Sequence, residues 1–111
     1  MTKPNKKLCE TISEFLDENK AEDIVTIDIH NKSSLCDYMI IATGTSSRHL
    51  KALAEKLIKH LKDQNHPQLS VEGESNSPWV LIDAGDVIVH LFQAEMRELF
   101  NLEEMWSKQD K

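Results

Sequence analysis

The chain has 111 residues, a net charge of −6, 40% hydrophobic and 29% charged residues, a balance that fits one globular domain and excludes a disordered chain. Its longest apolar runs, Tyr38–Ala42 and Trp79–Ile82, are far shorter than the roughly 20 residues a membrane span needs. The basic start, Met1–Glu10, has no apolar stretch of signal-peptide length behind it, so the expectation is a cytoplasmic protein with no membrane association.

Leu8, Ile12, Phe15 and Leu16 recur at helical spacing and predict an amphipathic helix over Asn5–Asn19. Ile24–Ile29 alternates, with Val25, Ile27 and Ile29 on one side and Thr26 and Asp28 on the other, which predicts a strand with one wetter face. Polar residues His30–Ser34 read as a turn. Tyr38–Ala42 is apolar without alternation and fits a strand covered on both faces. Gly44 then permits a sharp exit, and Thr45 or Ser46 can cap a helix whose stripe is Leu50, Leu53, Ala54, Leu57, Ile58 and Leu61. That helix ends near Asn65-His66-Pro67, because proline cannot continue it. A short strand at Leu69–Glu72 precedes the loop Gly73–Pro78. Trp79–Ile82 and Val87–Phe92 form a hairpin across Asp83-Ala84-Gly85-Asp86, with Gly85 supplying positive φ. A last helix starts near Ala94 and turns Met96, Leu99 and Phe100 inward, and Trp106 docks the tail.

The order is αββαβββα: an α/β domain with one mixed sheet of about five strands flanked by helices, spanning 1–111 with a core of about 5–107. The step from strand to helix at Ala42–Arg48 suggests a parallel crossover to Leu69–Glu72 or beyond. Cys9 and Cys36 are read as reduced thiols, since a chain of this size needs no staple.

Few residues offer catalytic chemistry. Gly44-Thr45-Ser46, between a buried strand and a helix, is a reasonable anion pocket, and the alternative function is a nucleotide-binding or nucleotidyl-transfer enzyme using the Gly44–Ser47 turn. Such transfer needs two or three carboxylates around Mg²⁺, and no D-x-D follows Ser46. The five histidines lack metal-ligand spacing, so no metal, cofactor or catalytic set is assigned. His90, within a strand of Val, Ile, Leu and Phe, reads first as a hydrogen-bonded structural group. Arg48, Lys51, Lys56, Lys59 and Lys62 make the second helix basic without interleaved aromatics, which leaves room only for a weak, secondary contact with rRNA.

The charge is unevenly placed. Residues 72–111 hold 3 Lys+Arg against 9 Asp+Glu, which accounts for the whole −6. An acidic third disfavours a phosphate-tracking surface and favours a basic protein partner, or else simply keeps the chain soluble. Within it, Trp79 heads a strand, Leu81 shares its face, and Glu72, Glu74, Asp83 and Asp86 can surround both. A core tryptophan fits this pattern as well as an exposed anchor rimmed by acid does.

The segments D-Y-M-I-I-A-T-G-T-S-S-R-H (Asp37–His49), V-E-G (Val71–Gly73), W-V-L-I-D-A-G-D-V-I-V-H (Trp79–His90) and R-E-L-F-N-L-E-E-M-W (Arg97–Trp106) together resemble the ribosomal silencing factor RsfS, or Iojap, family. Phe100 stands where that family usually has Tyr, and Met105 where Leu is common. The resemblance implies a nucleotidyltransferase-like fold without catalytic carboxylates, and a binding protein rather than an enzyme. It implies docking on the large ribosomal subunit through its fourteenth ribosomal protein, which blocks subunit joining and represses translation under nutrient limitation, and it implies homodimers. The residues expected to bind the partner are Glu72, Trp79, Leu81, Asp83, Asp86 and His90.

Overall fold

A computed structural model of the protein describes residues 6–29, 38–64, 69–73 and 78–100. Expectations for His30, Cys36, His66, Glu74 and Trp106, and for the side chains of Leu99 and Phe100, lie outside the described residues. The elements run α1 (Lys6–Glu18), β1 (Glu22–Asp28), β2 (Tyr38–Gly44), α2 (Ser47–Asp63), β3 (Ser70–Glu72), β4 (Trp79–Asp83), β5 (Val87–Gln93) and α3 (Ala94–Phe100). The five strands form one sheet in the order β1-β2-β5-β4-β3. Only β2 and β5 pair in parallel; the other three pairings are antiparallel.

The parallel pair explains why β2 carries no alternation. It lies inside the sheet with all seven residues buried, so both of its faces must be apolar. The crossover out of β2 therefore reaches past β3 and β4 to β5, rather than pairing with Leu69–Glu72. Strand β1 begins two residues earlier than its alternation suggests. A register shift between Glu22 and Val25, with Asp23 at φ 49°, bends that edge strand and breaks its period.

The sheet has two unlike faces. Tyr38, Ile40, Ala42, Val80, Ile82, Val87, Val89 and Leu91 point to the side covered by α1 and α2, where they meet Leu8, Ile12, Leu16, Leu50, Leu53, Leu57 and Leu61. The opposite face gathers Ile27, Ile29, Met39, Ile41 and Phe92, with Val25, Trp79, Ile88 and Met96 packed at its border. Helix α3 contributes Met96 to that second face, and Arg97 Nη1 donates to Thr43 Oγ1 at 2.7 Å, tying α3 to the end of β2. Cys9 is a buried free thiol of α1. Among the described residues no helix is long and apolar enough to cross a membrane.

Local chemistry sets the joints. Ser46 is the N-cap of α2: its hydroxyl accepts from the His49 amide at 3.1 Å, and it holds extended backbone at φ −161°. His49 Nε2 is 3.1 Å from the Asn19 carbonyl, joining the start of α2 to the end of α1. Gly44 leaves room for α2 to start, since a Cβ there would lie 2.5 Å from Leu50 Cδ2, and Leu50 is fully buried. Gly44→Ala is accordingly expected to destabilise the protein by about 1–3 kcal/mol through overpacking. Urea unfolding measures it, and an unchanged midpoint would mean that Leu50 can move aside freely.

Candidate functional site

The hairpin between β4 and β5 aligns the predicted partner-binding residues. Asp83 pairs with Ile88 across the turn, so Leu81 lies opposite His90 and Trp79 opposite Phe92. Gly85 makes the turn at φ 85°, and its amide donates to Asp83 Oδ1 at 2.9 Å. Strand β3 continues the alignment, with Glu72 opposite Leu81 and Ser70 opposite Asp83. One row of side chains thus crosses the whole sheet, from Glu72 through Leu81, His90 and Ile41 to Val25.

Since Val80 and Ile82 face the helices, Trp79, Leu81 and Asp83 stand on the opposite face by the two-residue period of a strand. Glu72, Gly73, Trp79 and Leu81 line one cleft of ≈ 230 Å³ there. The structure thereby brings Glu72, Trp79, Leu81 and Asp83 to one surface, with His90 beneath it. Asp86 stands apart, exposed in the turn at the end of the sheet, where its carbonyl accepts from the Tyr38 amide at 3.2 Å.

Trp79 is neither enclosed nor loose. It is half-buried, with its indole stacked on Phe92 at 5.3 Å and on His90 at 5.7 Å between ring centroids. Its Nε1–H donates to His90 Nδ1 at 3.1 Å. A ring nitrogen that accepts carries no proton, so the imidazole is neutral. Burial agrees: His90 is 6% exposed, and desolvation pushes its pKa down to about 4. The rings of His90 and Phe92 lie nearly parallel, 5° apart, and form a floor under the tryptophan.

Sequence reasoning missed Phe92 as part of this site, reading it only as a strand residue. The signal that could have found it is the hairpin register, because a turn joining Asp83 to Ile88 forces Trp79 opposite Phe92. Arg97, which anchors α3 beside this face, left no such signal.

The turn at Gly44–Ser47 is engaged internally. The Thr45 amide donates to His49 Nδ1 at 2.9 Å and the His49 amide to Ser46, so two donors that an anion would use already have acceptors. Of the other histidines, His60 stacks on Phe15 at 4.7 Å between centroids.

A family model described as "Ribosomal silencing factor during starvation" matches residues 2–111. The chain belongs to this RsfS family. It is 44% identical over 99 residues to the ribosomal silencing factor RsfS of Zymomonas mobilis, covering 89% of this chain and 74% of that one. It is 35% identical over 96 residues to the mouse "mitochondrial assembly of ribosomal large subunit protein 1", covering 84% of this chain and 42% of the mouse protein. The fold is shared too. A crystal structure of a Chromobacterium violaceum protein superposes with a TM-score of 0.89 at 34% identity, covering 95% of this chain and 88% of that one.

Proposed function

We propose that this member of the RsfS family docks on the large ribosomal subunit through the Trp79 face and thereby prevents the small subunit from joining, which lowers translation when nutrients are limiting. The observation that carries this reading is the cleft of Glu72, Gly73, Trp79 and Leu81, with a half-buried indole held on an aromatic floor. An amphipathic ring fixed at a surface and flanked by carboxylates is suited to a cationic partner. Glu72 lines the cleft with that indole, Asp83 stands on the same face four residues further along β4, and Asp86 extends the acid to the turn, within the third of the chain that holds the whole net charge of −6. The charge suits a basic component of the subunit, and the resemblance to the RsfS family implies that this is the fourteenth large-subunit ribosomal protein. Trp79 and Leu81 supply desolvated contact area, and the carboxylates steer the approach and fix its register.

Steric exclusion requires no reaction, so the fold needs only to occupy the surface that the small subunit would cover. The family resemblance also implies homodimers, which would compete with docking if they used the same apolar face. The protein works in the cytoplasm, where ribosomal subunits meet, and any touch of the α2 lysines on rRNA is secondary. When the protein is mixed with purified subunits and centrifuged through sucrose, it should pellet with large subunits and stay in the supernatant with small ones. Equal pelleting with both, or with neither, would contradict the reading.

A further inference from the structure

The aromatic floor has a role distinct from contact. His90 is 6% exposed and lies under the indole, so it offers a partner almost no area of its own. It nevertheless accepts a directional bond from Trp79 that Phe92, the other described ring under the indole, cannot accept. Stacking on Phe92 restrains the plane of the indole but does not by itself select which way its N–H edge points. The bond from Trp79 Nε1–H to His90 Nδ1 makes that selection, because it exists in only one of the flipped arrangements of the ring.

We infer that His90 is a positioning residue for docking: its Nδ1 holds the Trp79 indole in the orientation that the partner meets, so that this ordering is complete before binding. The inference rests on the docking reading above. An anchor ordered in advance loses less freedom on association than one that must be immobilised at that moment. Immobilising one such side chain is worth roughly a 3- to 10-fold change in affinity. Leu81 lies opposite His90 on β4, and the bond from the indole N–H ends on His90 Nδ1.

The test is a double-mutant cycle on the affinity for purified large subunits, using His90→Leu and Trp79→Phe singly and together. His90→Leu keeps an apolar group of similar bulk in a buried position, and Trp79→Phe keeps an aromatic ring but removes the N–H. In the Trp79 background His90→Leu should weaken binding about fivefold; in the Trp79→Phe background it should change binding less than twofold. His90→Asn, which returns an acceptor near the place of Nδ1, should recover most of the loss. Indole N–H resonances supply a second readout, with the Trp79 signal identified by its absence in Trp79→Phe. That proton should exchange slowly with solvent in wild type and His90→Asn, and rapidly in His90→Leu.

Equal losses in both backgrounds would overturn the inference, because His90 would then act on the partner or on the fold by itself. Unchanged binding of His90→Leu, beside lost binding of Trp79→Ala, would overturn it as well and leave docking intact. Undiminished binding of both Trp79→Phe and Trp79→Ala would instead remove the docking face on which the inference depends.

Discussion

Trp79→Ala should lower the affinity for large ribosomal subunits about 30-fold or more, the equivalent of about 2 kcal/mol or above for a central tryptophan anchor. The size of this effect separates the anchor from its rim. Glu72 is exposed on the edge strand, where a single charge pair is worth roughly 0.2–1 kcal/mol, so Glu72→Ala should fall well short of Trp79→Ala. Asp83→Ala is a poorer probe, since the Asp83 carboxylate also accepts from the Gly85 amide and its loss disturbs the hairpin. Trp79 is half-buried at the border of the second cluster, and its replacement leaves the helix-side core untouched, so the variant should keep a cooperative unfolding transition. Circular dichroism on the same sample checks this, and a titration with large subunits gives the affinity. A folded Trp79→Ala protein that binds as wild type would take Trp79 out of the interface.

The second large effect is on stability and follows the pH. Burial holds the His90 pKa near 4 in the folded protein, against 6.5 for the ordinary side chain. Between these values the unfolded chain binds a proton that the folded chain refuses, so stability rises with pH across the window. The contribution is complete above about pH 6.5 and is lost as the pH falls toward 4, a change of about 3 kcal/mol from His90 alone. Protonation also ends the acceptance of the indole N–H. Among the described residues the carboxylates nearest on the same face are Glu72 on β3 and Asp83 on β4, while β2 and β1 present Ile41 and Val25 to the row. The comparison must therefore be with His90→Leu, which keeps those carboxylates. Urea unfolding at pH 7, 5.5 and 4.5 should show wild type losing stability faster than His90→Leu. Parallel losses in the two proteins would mean that His90 charges at little penalty and is not held neutral by its surroundings.

Much of this architecture is legible in the sequence. The α2 stripe, its serine cap, the buried β2 and the glycine hairpin each depend on residues close in sequence, and each is where local periodicity and turn chemistry put it. What was not readable depends on partners far apart in the chain. The segment W-V-L-I-D is apolar on both sides through Ile82, so the alternation of its burial in the fold, and the side the helices cover, could not be read from it. That assignment needs the position of β5 between β2 and β4, which places Val80 and Ile82 toward α1 and α2. The question of whether Trp79 is core or surface was open for the same reason, and its answer is intermediate: a ring packed on Phe92 and His90 with one side outward. His90 illustrates the limit most clearly. Its place in an apolar strand marked it as hydrogen-bonded, yet its partner, eleven residues away across a hairpin, emerged only from the register.

The most direct test of the central claim follows the scattered light when small subunits are mixed with large subunits that have been incubated with this protein. The account predicts that saturating wild-type protein suppresses the rise in scattering that marks subunit joining, and that folded Trp79→Ala at the same concentration leaves most of the rise in place. Joining at full amplitude and rate with wild-type protein bound to the large subunit would contradict it.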